Sequence, residues 1–131
     1  LTSSGEQLRP IIERLHSLGM RVSLFMDPDL AQIELAKEIG ADRIELYTGP
    51  YAAAWGSDQL EALFQEHLAA AELSTRLGMG VNAGHDLNLH NLAKFASIPN
   101  LLEVSIGHAF TVDSLTLGMA KTVQSYKALL G

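Results

Sequence analysis

Two short stretches carry residue types that can do chemistry. Asn82-Ala83-Gly84-His85-Asp86 and Ser105-Ile106-Gly107-His108 each set a histidine directly after a glycine. Imidazole gains and loses a proton near neutral pH, so two such residues in one cleft suit acid/base work. The preceding glycine permits close backbone approach or positive φ, which can turn the next side chain into a cleft. A third candidate is Glu45 in Arg43-Ile44-Glu45-Leu46-Tyr47. Period-2 alternation puts its carboxylate on the face opposite Ile44 and Leu46. It is then either a cleft carboxylate or a surface glutamate, alone or paired with Arg43. Two histidines with Glu45 or Asp86 could hold zinc, but nothing in their spacing demands it, and no metal site is assigned.

The elements around these residues alternate. Helices are expected over 6–18, 29–39, 58–77, 88–96 and 111–129, with a helical turn over 50–56. Between them lie short apolar runs at Arg21–Met26, Arg43–Tyr47, Met79–Ala83 and Leu102–Ile106, rich in β-branched and aromatic residues. Gly19, Gly40 and Gly78 each close a helix before a strand, which is ordinary loop chemistry. Strands joined by helical crossovers run parallel. Four of them suit a doubly wound sheet or half of a (β/α)8 barrel. In both, ligands sit beyond the carboxyl ends of the strands, where Glu45, His85 and His108 fall. Gly107-His108-Ala109-Phe110-Thr111 leads from the last strand into the last helix, where backbone N–H groups and the helix dipole can hold a phosphate. No Lys or Arg lies near a strand exit, so such a grip would rest on backbone donors and histidine. His16 and His67 read as surface residues on polar helix faces, and His90 as the start of a helix. Trp55 reads as a packing or interface residue. Met20, Met26, Met79 and Met119 fit core positions.

Composition narrows the partners. The chain has 131 residues, 47% hydrophobic and 18% charged, which is the make-up of one globular domain. The net charge of −6, without a basic cluster, argues against nucleic acid and anionic membrane as partners. No apolar run approaches the length of a membrane span. There is no cysteine, which excludes disulfides and thiolate metal sites and suits a cytoplasmic location. The sequence opens on Leu1 without a signal-peptide pattern and reads as a trimmed or internal piece.

Val81-Asn82-Ala83-Gly84-His85-Asp86-Leu87-Asn88 followed by Glu103-Val104-Ser105-Ile106-Gly107-His108-Ala109 resembles the pyridoxine 5′-phosphate synthase family. Arg21–Asp27 and Ile44–Gly49 are similar to that family's strands, in the same order. The resemblance implies a (β/α)8 TIM barrel, of which this chain supplies the C-terminal half, strands five to eight. It implies condensation of 3-amino-2-oxopropyl phosphate with 1-deoxy-D-xylulose 5-phosphate to pyridoxine 5′-phosphate, phosphate and water, without metal or organic cofactor. His85 matches the proton donor and Glu45 a carboxylate that stabilises the transition state. Gly107 and His108 match the site for the amino-ketone phosphate, and Asp86 contacts the same ligand. Thr2 aligns with a substrate-contacting threonine, although the family's longer Glu-Gly-Gly loop is not present beside it. The family forms homo-oligomers.

The family's remaining bases and basic phosphate contacts belong to its first half. The chain alone is therefore expected to be inactive, and a half barrel leaves two sheet edges unpaired. Two other readings remain. One is a non-catalytic half barrel that dimerises or binds a phosphorylated metabolite through Gly107-His108. The other is a different barrel enzyme, an aldolase or epimerase, using Glu45 and His85. A Schiff-base aldolase is disfavoured, because Lys37, Lys94, Lys121 and Lys127 all fall in expected helices.

Overall fold

A computed structural model describes residues 5–131. Thr2 lies outside the described residues. Helix α1 spans Gly5–Ser17, and β1 (Ser23–Met26) leads to α2 (Leu30–Glu38). Next come β2 (Arg43–Tyr47), the short α3 (Gly49–Ala53) and the long α4 (Leu60–Arg76). Strand β3 (Gly80–Gly84) precedes α5 (Leu92–Phe95), and β4 (Leu101–Ser105) precedes α6 (His108–Leu117) and α7 (Met119–Leu130). Asp29 starts α2 by accepting from Ala31 N at 2.9 Å and Gln32 N at 3.2 Å, a cap worth roughly 1 kcal/mol.

All four strands are parallel and lie in the order β1-β2-β3-β4. A doubly wound sheet reverses its strand order at a switch point. The unbroken sequential order is instead consistent with a partial TIM barrel. Ile44, Leu46, Val81 and Ala83 face the helices and are 0% exposed. Each large aliphatic among them contributes about 1.5–3 kcal/mol by leaving water. The main core joins them to Ile33 and Ala36 of α2 and to Phe64, Ala70 and Ala71 of α4. The opposite sheet face carries Phe25, Glu45 and Asn82 in one row, since Phe25 pairs with Glu45 and Glu45 with Asn82. The row continues to Glu103 past an irregularity between Val81 and Asn82. Arg43, on this face, donates to Asn82 Oδ1 at 3.1 Å and pairs closely with Glu103. The base offered to Glu45 is thus taken by another acid. Among the described residues no helix is long and apolar enough to cross a membrane.

Several expectations change. The final helix is two helices, because Gly118 takes φ 82° and ψ 146°, outside the helical region. The first of them begins at His108, three positions earlier than the sequence suggests. Its apolar residues do not form a buried stripe: Val112, Leu115, Met119 and Val123 are exposed, while Thr122 and Tyr126 are buried. Met20 is exposed as well, whereas Met26 and Met79 are buried. The 88–96 segment is helical only over Leu92–Phe95, and His90 lies in the turn before it. There Asn88 Oδ1 accepts from His90 N at 2.9 Å and Asn91 N at 3.2 Å, a side-chain turn that competes with helix.

His67 is the clearest correction. It is 0% exposed, not a surface residue. Its Nδ1 lies 2.7 Å from Leu63 O and its Nε2 3.0 Å from Tyr47 O, tying α4 to the end of β2. The rings of Phe95 and Tyr51 pack against it at 5.4 and 6.2 Å. Either carbonyl can accept the single N–H of a neutral imidazole, which anchors the ring in this otherwise apolar layer.

Candidate active site

Beyond the carboxyl ends of β2, β3 and β4 the open sheet face leads into a cleft of about 720 Å³. Glu45, His85, Asp86, Gly107 and His108 all line it, with Phe25 and Ser105 beside them. Five of the six site residues expected from the sequence therefore meet in one place, and Thr2 is the sixth.

The two glycines before the histidines do different things. Gly84 closes β3 under Glu45. A Cβ there would collide with Glu45 Oε1 and stand 2.9 Å from Ser105 Cβ, so only glycine leaves room for the carboxylate. Gly107 has open space around it and caps α6, its carbonyl accepting from Thr111 N at 3.0 Å. Positive φ falls on neither glycine but on His85 (φ 94°) and Asp86 (φ 59°). Side chains there cost on the order of 1–3 kcal/mol per residue, and such strain persists only where the surroundings over-determine it.

Glu45 is half-buried and makes no hydrogen bond or ion pair among the described residues, so its carboxylate remains available to a ligand. His85 is exposed to the cleft. Its Nδ1 lies 3.2 Å from Asp86 Oδ2, an acceptor for an Nδ1–H, and Nε2 makes no hydrogen bond among the described residues. The pair is more than half exposed and organises the ring more than it stabilises the fold. The ring also meets Tyr47 edge-on at 5.1 Å and Phe25 at 6.3 Å. His108 is the first residue of α6, so the unpaired N–H groups of that helix's first turn accompany it at the cleft wall.

Sequence reasoning assigned no role to Tyr47, Phe25 or Thr48. The first two alternate with Ile44, Leu46 and Leu24 and could have been found as aromatic residues on the Glu45 face. Thr48 acts across a long sequence separation, donating to Gly84 O at 2.8 Å and contacting His85 O. No local pattern announces that bond.

A sequentially ordered parallel βα sheet, with helices on one face and a polar cleft past its strand ends, is an α/β fold consistent with part of a TIM barrel, whose ligands sit at that end. The family follows from the sequence match: the description "Pyridoxal phosphate biosynthesis protein PdxJ" covers residues 1–131, and the chain belongs to that family. The pyridoxine 5′-phosphate synthase of Albidiferax ferrireducens is 52% identical over 123 residues, covering 93% of this chain and 49% of that protein. The protein of the same name from Porphyromonas gingivalis is 48% identical, covering 93% and 51%. That from Brucella abortus is 52% identical over 126 residues, covering 95% and 51%. The chain thus spans about half the length of the curated relatives it matches.

Proposed function

We propose that this chain is the C-terminal half of a pyridoxine 5′-phosphate synthase barrel and supplies strands five to eight. The complete enzyme condenses 3-amino-2-oxopropyl phosphate with 1-deoxy-D-xylulose 5-phosphate, releasing phosphate and water as the pyridine ring closes. The observation that carries this reading is the convergence of Glu45, His85, Asp86, Gly107 and His108 on one cleft in a chain of this family.

The roles are those that the family resemblance implies, and the geometry is compatible with each. His85, protonated on both ring nitrogens when it acts as the acid, gives a proton through Nε2 while Asp86 accepts from Nδ1–H. Glu45, unpaired beside it, stabilises positive charge that develops on the condensing substrate. The first turn of α6 offers Gly107 and His108 to the phosphate of the amino ketone, with backbone N–H groups as donors. Asp86 helps shape the same subsite. Proton traffic in the opposite direction needs bases, and these belong to the other half of the barrel. The half alone is inactive on this reading.

The test uses the complete enzyme. His85→Asn abolishes turnover while inorganic phosphate still binds, and Glu45→Gln lowers kcat more than it raises KM. Unchanged turnover in His85→Asn removes the proton-donor role.

A further inference from the structure

We propose that Thr48 is a positioning residue for His85, fixing from the end of β2 the strained backbone that presents the imidazole to the cleft. The inference rests on His85 being the proton donor.

Thr48 is 0% exposed and stands at the N-terminal cap of α3, yet its side chain makes no capping bond. A threonine at that position ordinarily turns its oxygen to the helix's own N–H groups. Here the hydroxyl reaches across to the exit of β3 instead. Its single hydrogen is shared between Gly84 O, at 2.8 Å, and the closer His85 O. The Thr48 N–H donates to Gly84 O as well, at 3.0 Å. One residue past His85, Asn91 Nδ2 donates to Asp86 O at 3.2 Å. Three successive carbonyls are therefore held from outside the loop, across the two residues whose φ is positive.

Those contacts decide where the ring goes. At φ 94° the backbone of His85 has little to keep it in place, because an L side chain disfavours that conformation. Freed from Thr48, the strained φ of His85 can relax, and that rotation about N–Cα swings its carbonyl and its Cα–Cβ bond together. The ring would then leave its edge contact with Tyr47 at 5.1 Å, and Nε2 would miss the reacting atom. A sealing role for Thr48, restricted to joining β2 and β3, predicts lost stability but an unaltered chemical step.

The experiment compares Thr48→Val, Thr48→Ser and His85→Asn in the complete enzyme, by steady-state kinetics over pH. Removing the hydroxyl in Thr48→Val should lower kcat by about tenfold or more, since small misplacement of a catalytic group has effects of that order. KM should change little, and the pH profile of kcat should shift from that of the wild type. Thr48→Ser, which keeps the hydroxyl, should restore kcat to within about twofold. Wild-type kcat and pH profile in Thr48→Val overturn the proposal, and so does a loss in Thr48→Ser as deep as in Thr48→Val. If Thr48→Val yields no folded enzyme, Thr48→Ser alone decides, and a loss there of about tenfold counts against it. Should His85→Asn itself turn over normally, the underlying reading fails. Should His85→Asn be dead and Thr48→Val normal, only the positioning role fails.

Discussion

The carboxylate of Glu45 occupies the space that a side chain on Gly84 would need. The two residues sit on neighbouring strands, two residues out of register, because Glu45 pairs with Asn82 and Gly84 with Tyr47. Glu45 therefore leans along the sheet toward the cleft, over a strand end kept bare by glycine.

That contact makes Gly84→Ala informative. Gly84 does not have positive φ, so alanine meets no backbone penalty there. The added methyl must displace Glu45 or Ser105. Expected is a stability loss of about 1–3 kcal/mol, as in other overpacked sites. In the complete enzyme kcat should fall roughly 10- to 100-fold as the carboxylate shifts, with phosphate affinity retained. Kinetics alongside urea unfolding tests this, and a variant that unfolds earlier but turns over normally would separate Glu45 from the chemistry.

What could be read from the sequence was local. Alternation along Arg43–Tyr47 is enough to place Glu45 opposite two buried aliphatics, and polar residues at the strand exits are enough to mark the cleft. His67 escaped because Glu66 and Leu68 beside it disguise its face. The buried residues Phe64, His67, Ala70, Ala71 and Ser74 have helical spacing, but two of the five are polar. Gly118 sits inside an apolar repeat that runs on past it, and only its dihedral angles show the break. Thr48 and Asn91 bond to residues brought near by the sheet and the turn, and their side-chain types fit many simpler roles.

Asp42 gives a prediction at acid pH. Its Oδ2 accepts from Val22 N at 2.7 Å and lies 2.9 Å from His16 Nε2. The Val22 N–H, more than His16 and Arg21, holds the carboxyl below its ordinary 3.8, against partial desolvation. A lowered folded-state value means the contribution is present above pH 3.8 and is lost as pH falls through the folded-state value. Asp42→Asn keeps an acceptor and removes the charge. Because the side chain is 39% exposed, the loss at neutral pH should stay under about 1 kcal/mol. Urea midpoints of the two proteins should converge as pH drops below 3.8. A gap that persists unchanged at lower pH would mean the charge is not what matters.

Tyr51 gives the alkaline counterpart. It is 0% exposed, its ring meets Phe95 at 5.0 Å, and its hydroxyl donates to Asn91 O at 2.8 Å. Asn91 in turn holds Asp86, so the bond supports the loop that carries His85. Burial pushes the Tyr51 hydroxyl up from 10.0 to about 12. The unfolded chain thus releases this proton first, and the contribution to stability is whole below pH 10.0 and disappears as pH rises to about 12. Tyr51→Phe keeps the ring and leaves the Asn91 carbonyl with only its longer bond from Phe95 N at 3.4 Å, which should cost roughly 0.5–1.5 kcal/mol at neutral pH. Its stability should then fall less steeply than the wild type's between pH 10.0 and about 12. Denaturant midpoints measured across that interval check the difference, and parallel curves for the two proteins would show that this hydroxyl does not set the alkaline limit.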